Sequence, residues 1–126
     1  MTHSQHRPPI WVGHVVLRVD DVEASKAFFV KLGMREVEPN ASVGILELRG
    51  GTHLVILPTE QPVARDTQAS FDLMVEDIEA TRASYLEIGV DPSPMKTSDV
   101  HTSFEIREPG GHLITVNSTH VSDQPV

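Results

Sequence analysis

From Trp11 to Val19 the side chains alternate, with Val15, Leu17 and Val19 on one face and His14, Val16 and Arg18 on the other. That period of two predicts a strand. Asp20 or Asp21 then offers a short side-chain oxygen to the first amide protons of a helix predicted over Val22 to Leu32. Gly33 follows as a left-handed stop. Strands are predicted over Arg35 to Glu38 and Val43 to Arg49, and Gly50-Gly51 turns into a further one, Thr52 to Leu57. The first half therefore reads strand, helix, strand, strand, strand.

The second half writes the same order again. Val19-Asp-Asp-Val-Glu-Ala-Ser-Lys-Ala-Phe-Phe-Val-Lys-Leu-Gly33 is matched, 56 residues later and without a gap, by Val75-Glu-Asp-Ile-Glu-Ala-Thr-Arg-Ala-Ser-Tyr-Leu-Glu-Ile-Gly89. Asp21/Asp77, Ala24/Ala80 and Gly33/Gly89 are identical pairs, and a repeat of this length makes two modules. Phe71, Leu73 and Val75 form the apolar face of the second module's first strand, with Ser70, Asp72 and Met74 opposite. Asp77 caps its helix and Gly89 ends it, with Phe28, Phe29, Tyr85 and Leu86 expected in the helix core or at the module interface. Asp91-Pro-Ser-Pro94 opens an irregular edge strand, since proline donates nothing to a ladder. His101 to Arg107 alternates, Glu108-Pro-Gly-Gly111 turns, and His112 to Ser118 closes the module. The expected organisation is a disordered arm over residues 1–9, modules over 10–58 and 70–119, a linker over 59–69 and a tail over 120–126. With one helix per module the strands cannot all be parallel crossovers, so an α+β fold of mixed sheets with helices on one face follows.

Composition narrows the classes. The chain has 126 residues, 39% hydrophobic and 22% charged, enough for one globular unit. A net charge of −8 lacks the basic footprint of a nucleic-acid or anionic-membrane partner. No cysteine is present, which removes disulfides and thiolate metal sites and fits an expected cytoplasmic location. No apolar run approaches membrane-spanning length.

Two segments carry a resemblance to a known family. Gly13-His-Val-Val-Leu-Arg-Val-Asp-Asp-Val-Glu-Ala-Ser-Lys-Ala-Phe-Phe-Val-Lys-Leu-Gly-Met34 and Phe104-Glu-Ile-Arg-Glu-Pro-Gly-Gly-His-Leu-Ile-Thr-Val116 are similar to the vicinal oxygen chelate superfamily, which contains glyoxalase I, the bleomycin-resistance proteins and the extradiol dioxygenases. The resemblance spans about residues 10 to 118. It implies two tandem βαβββ modules whose curved sheets enclose a cup, with helices on the outer faces, and a homodimer. It also implies a divalent metal (zinc, iron, nickel or manganese) held from the first and last strand of each module. Carried over, those positions are His14, Ser70, Val55 or Ile56, and Thr115. Only His14 is a proper ligand, so the ordinary glyoxalase I site is absent and His14 alone remains the metal candidate.

If the strand parity holds, the cup also receives Arg18, His53, Asp72, Ser103, Thr115 and Asn117 as substrate-binding candidates, with His101 and Glu105 as catalytic candidates. His14, His101 and Asp72 or Glu105 would make a two-histidine, one-carboxylate set of the kind an open metal site uses. His112 is expected to cap its glycine turn, and Trp11 to serve as a lid or dimer contact. Two functions compete. One is a lyase, isomerase or dioxygenase acting on a small oxygenated molecule, with Glu105 moving a proton beside a metal. The other is a non-catalytic, drug-sequestering protein of the bleomycin-resistance kind. Catalysis by His14 or His101 without metal is a third.

Overall fold

The computed structural model describes residues 6–37, 39, 42–120 and 124–126. Its elements run β1 (His14–Val19), α1 (Val22–Leu32), β2 (Arg35–Glu36), β3 (Gly44–Glu47), β4 (His53–Pro58), β5 (Thr67–Gln68), β6 (Leu73–Val75), α2 (Ile78–Glu87), β7 (Lys96–Thr97), β8 (Thr102–Arg107) and β9 (His112–Ser118). Two mixed sheets result, one ordered β1-β4-β3-β2 and the other β5-β9-β8-β7 with β6 also on β9. The repeat read from the sequence is thus a repeat of structure. Glu38, Met1 to Gln5 and Val121 to Asp123, which carried parts of a predicted strand, arm and tail, lie outside the described residues.

Each helix begins and ends for a stated reason. Asp21 Oδ1 accepts from the Ala24 amide at 3.1 Å, and Asp77 Oδ1 accepts from Ala80 at 3.0 Å. Gly33 takes φ 114° at the end of α1, and its amide returns to the Phe29 and Val30 carbonyls. Only glycine enters that region without a Cβ penalty. α2 ends sooner relative to its repeat, with Ile88 as its cap and Gly89 just beyond in the left-handed region.

The apolar strand faces pack under the helices. Leu17, Val19, Leu46, Leu54 and Ile56 meet Phe29 in the first module, while Phe104, Ile106, Ile114 and Val116 meet Tyr85 in the second. Each such side chain contributes roughly 1.5–3 kcal/mol on leaving water. Leu86 departs from expectation: it is exposed, because its position on α2 turns away from the sheet.

Two further differences concern strand limits. Thr67–Gln68, within the expected linker, already form β5 and pair in parallel with His112 and Leu113. β6 then joins the same edge of β9 further along, so the first strand of the second module is an interrupted one.

The modules are tied where the Glu108–Gly111 turn reaches α1. Ser25 Oγ donates to Glu108 Oε2 at 2.6 Å, with both residues buried. Lys31 Nζ reaches the Ile88 carbonyl at 3.2 Å, and Arg49 pairs with Glu76 at 2.8 Å across the surface.

Candidate functional site

Because the apolar faces are committed to the helices, the opposite faces decide what the molecule can bind. In the first module β1 aligns with β4 as His14↔His53, Val16↔Val55 and Arg18↔Leu57. β3 adds Glu47 beside His53 and Ile45 beside Val55, and β2 sets Arg35 beside Glu47. The face therefore shows one polar row, Arg35–Glu47–His53–His14, and one apolar row, Ile45–Val55–Val16. The polar row is hydrogen-bonded from Arg35 to His53. Arg35 donates to Glu47 Oε1, and Glu47 Oε2 lies 3.2 Å from His53 Nε2. The His53 ring meets His14 edge-on, with centroids 6.0 Å apart. Arg35 first, then His53, holds the Glu47 carboxyl below its ordinary 4.5, since each favours the charged form.

The second module's open face is mostly polar, with Met74 and Leu113 as its apolar members. Asp72 Oδ2 accepts from Asn117 Nδ2 at 2.5 Å. Thr115 Oγ1 accepts from Gln68 at 3.2 Å and lies opposite Glu105 in the β8–β9 ladder, with Ser103 opposite Asn117. Lys96 Nζ stands 3.8 Å from Glu105, whose amide donates to Ser93 Oγ at 2.8 Å. His101 sits at the strand end, its Nδ1 2.9 Å from the Ser118 carbonyl and its ring 4.9 Å from His120.

These placements sort the candidates. His14 and His53 come together, as do Asp72 and Asn117, and Thr115 and Glu105. His14, His101 and Glu105 do not: their contacts all go to other residues, and among the described residues no three His, Asp or Glu side chains are grouped to hold a metal. The strand register also fixes an alternative left open by the sequence. Leu17 pairs with Ile56 and its repeat counterpart Leu73 with Val116, so Val55, not Ile56, is the equivalent of Thr115. The residues at the implied metal positions are then one imidazole, two hydroxyls and a valine. They do not fit a divalent ion.

His112 behaves as its turn predicts, its Nδ1 2.7 Å from Glu108 Oε1 in a buried pair. Trp11 is 69% exposed. A hollow of about 560 Å³ is lined by Arg49, Gly50, Met74, Glu76 and Thr119, and through Met74, opposite Asn117, it adjoins the second module's open face. Sequence reasoning missed Arg35 and Glu47. The alternation Ile45-Leu46-Glu47 puts Glu47 opposite a core leucine, which was a readable signal, but its neighbour across the sheet depends on a register that one strand does not reveal.

Residues 11–116 match the family described as the Glyoxalase/Bleomycin resistance protein/Dioxygenase superfamily. No curated protein matches the sequence. The structure is similar to the bleomycin-binding protein from bleomycin-producing Streptomyces verticillus complexed with copper(II)-bleomycin, with TM-score 0.73 and 22% identity over 90% of this chain and 100% of that one. It is similar to lactoylglutathione lyase from Agrobacterium tumefaciens, with TM-score 0.71 and 17% identity over 89% and 96%. It is also similar to the oxidase ChaP-H2, with TM-score 0.70 and 15% identity over 93% and 98%. At these identities the likeness establishes the fold, a half-barrel of mixed curved sheets with two helices. A binder, a lyase and an oxidase on one fold leave function to the site.

Proposed function

This chain belongs to the Glyoxalase/Bleomycin resistance protein/Dioxygenase superfamily, and from that premise we propose that it is a small-molecule binding protein that holds its ligand without the metal the resemblance implies. One observation carries the reading: Ser70, Val55 and Thr115 stand at three of the four strand positions where metal ligands are expected. A single neutral imidazole at His14 competes poorly with water for a divalent ion.

Binding then rests on the two open strand faces. The first module contributes an apolar floor, Ile45, Val55 and Val16, beside its imidazoles. The second contributes hydrogen-bonding groups, among them Asp72, Ser103, Glu105, Thr115 and Asn117, and Arg18 adds an exposed cation on β1. A ligand with an apolar body and several polar substituents satisfies both. The net charge of −8 favours a neutral or cationic ligand over an anion. Ligand binding, as in the bleomycin-binding protein from Streptomyces verticillus, is the role that this chemistry suits, and sequestration is its simplest form.

The second reading is a metal-assisted lyase, isomerase or dioxygenase, and the retained His14 favours it. Elemental analysis of untagged protein separates the two. Metal well below stoichiometric, together with a melting temperature raised by an amphipathic ligand, supports binding. Zinc, iron, nickel or manganese near one per chain, lost in His14→Ala, would sink it.

A complete cup also calls for a second copy. Among the described residues β1 pairs only with β4, and β6 only with β9, so each first strand has a free edge, which proteins rarely leave bare. Pairing β1 of one copy with β6 of another would set the apolar floor against the polar face in a homodimer. Light scattering that gives a monomer at micromolar concentration would count against this assembly.

A further inference from the structure

The first module's open face has a chemical direction, set by a carboxylate that both neighbours use. Glu47 gives one oxygen to Arg35 and the other to His53 Nε2. An ionised carboxylate only accepts, so the proton of a neutral His53 ring lies on Nε2 and the lone pair on Nδ1. That Nδ1 has no hydrogen-bond partner among the described residues, and none of their buried side-chain nitrogens lacks one. His53 Nδ1 is therefore open to solvent as an acceptor. Two residues further along each strand on the same face, about 7 Å away, runs the apolar row Ile45–Val55–Val16. Three strands at their ordinary spacing make this floor about 10 Å wide, the width of two fused aromatic rings. Val16 is 41% exposed, so this end of the floor is open to a ligand.

We propose that this face selects a planar, largely apolar molecule bearing a hydroxyl or N–H donor, whose rings lie on Ile45, Val55 and Val16 while the donor bonds His53, with Glu47 as the positioning residue that fixes the ring's acceptor. The inference rests on the binding role proposed above and names its ligand class. Arg35 matters through Glu47: by occupying Oε1 it leaves Oε2 for the imidazole. His14 stands at the end of the row, its ring edge-on to that of His53 with centroids 6.0 Å apart.

The arrangement predicts a loss of ligand preference that a merely structural role would not produce. In Glu47→Gln the new amide must turn its oxygen to Arg35, which can only donate, and its NH2 to His53 Nε2. The ring proton then moves to Nδ1, and an acceptor becomes a donor. The test uses 2-naphthol and its methyl ether, 2-methoxynaphthalene, titrated at about pH 8, where imidazoles are neutral. Affinity is read calorimetrically, and the place of binding and the ring protonation by nitrogen-15 shifts of the backbone amides and imidazoles. In the natural protein 2-naphthol is expected to bind at least tenfold tighter than the ether, with shifts at His53 and His14. In Glu47→Gln the tenfold preference is expected to be lost, because the hydroxyl and the ether oxygen can both accept from Nδ1–H. Should that variant fold poorly by circular dichroism, His53→Phe keeps the ring's shape without an acceptor, and the tenfold preference must vanish. Equal affinities in the natural protein, or an undiminished tenfold preference in Glu47→Gln, would overturn the proposal. So would absence of binding by either probe, or amide shifts confined to Asp72 and Glu105. A different ligand that raises the melting temperature while leaving His53 unshifted would refute this inference alone and leave the binding role standing.

Discussion

Ser25 of the first helix and Glu108 of the second module's turn share a 2.6 Å hydrogen bond although 83 residues separate them. Glu108 also accepts from Gly110 N at 2.8 Å and from His112 through its backbone amide and ring. A carboxylate at 1% exposure is tolerated only because its oxygens are bonded on every side. Glu108→Ala strands these donors and is expected to cost about 3 kcal/mol, a fall in melting temperature of roughly 10 °C by calorimetry. Gly110→Ala strikes the same place by volume, since a Cβ there would sit 2.6 Å from Glu108 Oε1 and 2.9 Å from Val19. If either variant melts like the natural protein, the turn is not the joint between modules.

The repeat predicts its own energetics. Asp21 and Asp77 make the same bond, to the third amide on, in two helices that share no partner in these caps. Asp21→Ala and Asp77→Ala are each expected to cost about 1 kcal/mol, and the double variant about the sum. Denaturant titration of the four proteins checks this. A strongly non-additive double variant would mean that one module's helix depends on the other's.

These caps were legible because they are local: an Asp, a helical stripe and a glycine define both ends of α1 within the sequence itself. The alternation of Leu17 and Val19 against His14 and Arg18 likewise gave the strand faces, and the duplicated segment gave the order of elements. The joint at Ser25 was not legible, since nothing near Ser25 announces a carboxylate that arrives from the far module. Nor was the Arg35–Glu47–His53 row, which exists only once three strands take one register. The partners of His101 were not legible for the same reason. Parity put it on the face of Glu105, while the end of β9 drew its ring to the Ser118 carbonyl and to His120.

Tyr85 gives a clean optical probe, because it is the single tyrosine of the chain. It packs edge-on against Phe104 with ring centroids 5.8 Å apart, and burial raises its phenol above 10.0. The folded state disfavours the phenolate, so stability is unaffected below pH 10.0 and falls as pH rises through the value of the folded phenol. Phenolate absorbance is expected to appear later than for a free tyrosine, and to appear together with loss of far-ultraviolet signal. Ionisation at the free value in a still-folded protein would contradict the packing described here.

Glu47 has the opposite sign. Its carboxyl is held below 4.5 by Arg35 and His53, so the stabilisation it provides is present above 4.5 and is lost as pH falls through its folded value. Glu47→Gln removes that dependence while keeping the size of the side chain. Its acid-unfolding curve is therefore expected to lie closer to its neutral-pH stability, with the natural protein losing relatively more between neutral and acid conditions. Because Glu47 is partly exposed, salt screens the contribution, and raising ionic strength should narrow the difference between the two curves. The comparison also bears on binding. If the two proteins show the same acid sensitivity at low salt, Glu47 is not charged against Arg35 and His53 as the geometry requires. His53 would then have no fixed tautomer with which to choose between a donor and an acceptor.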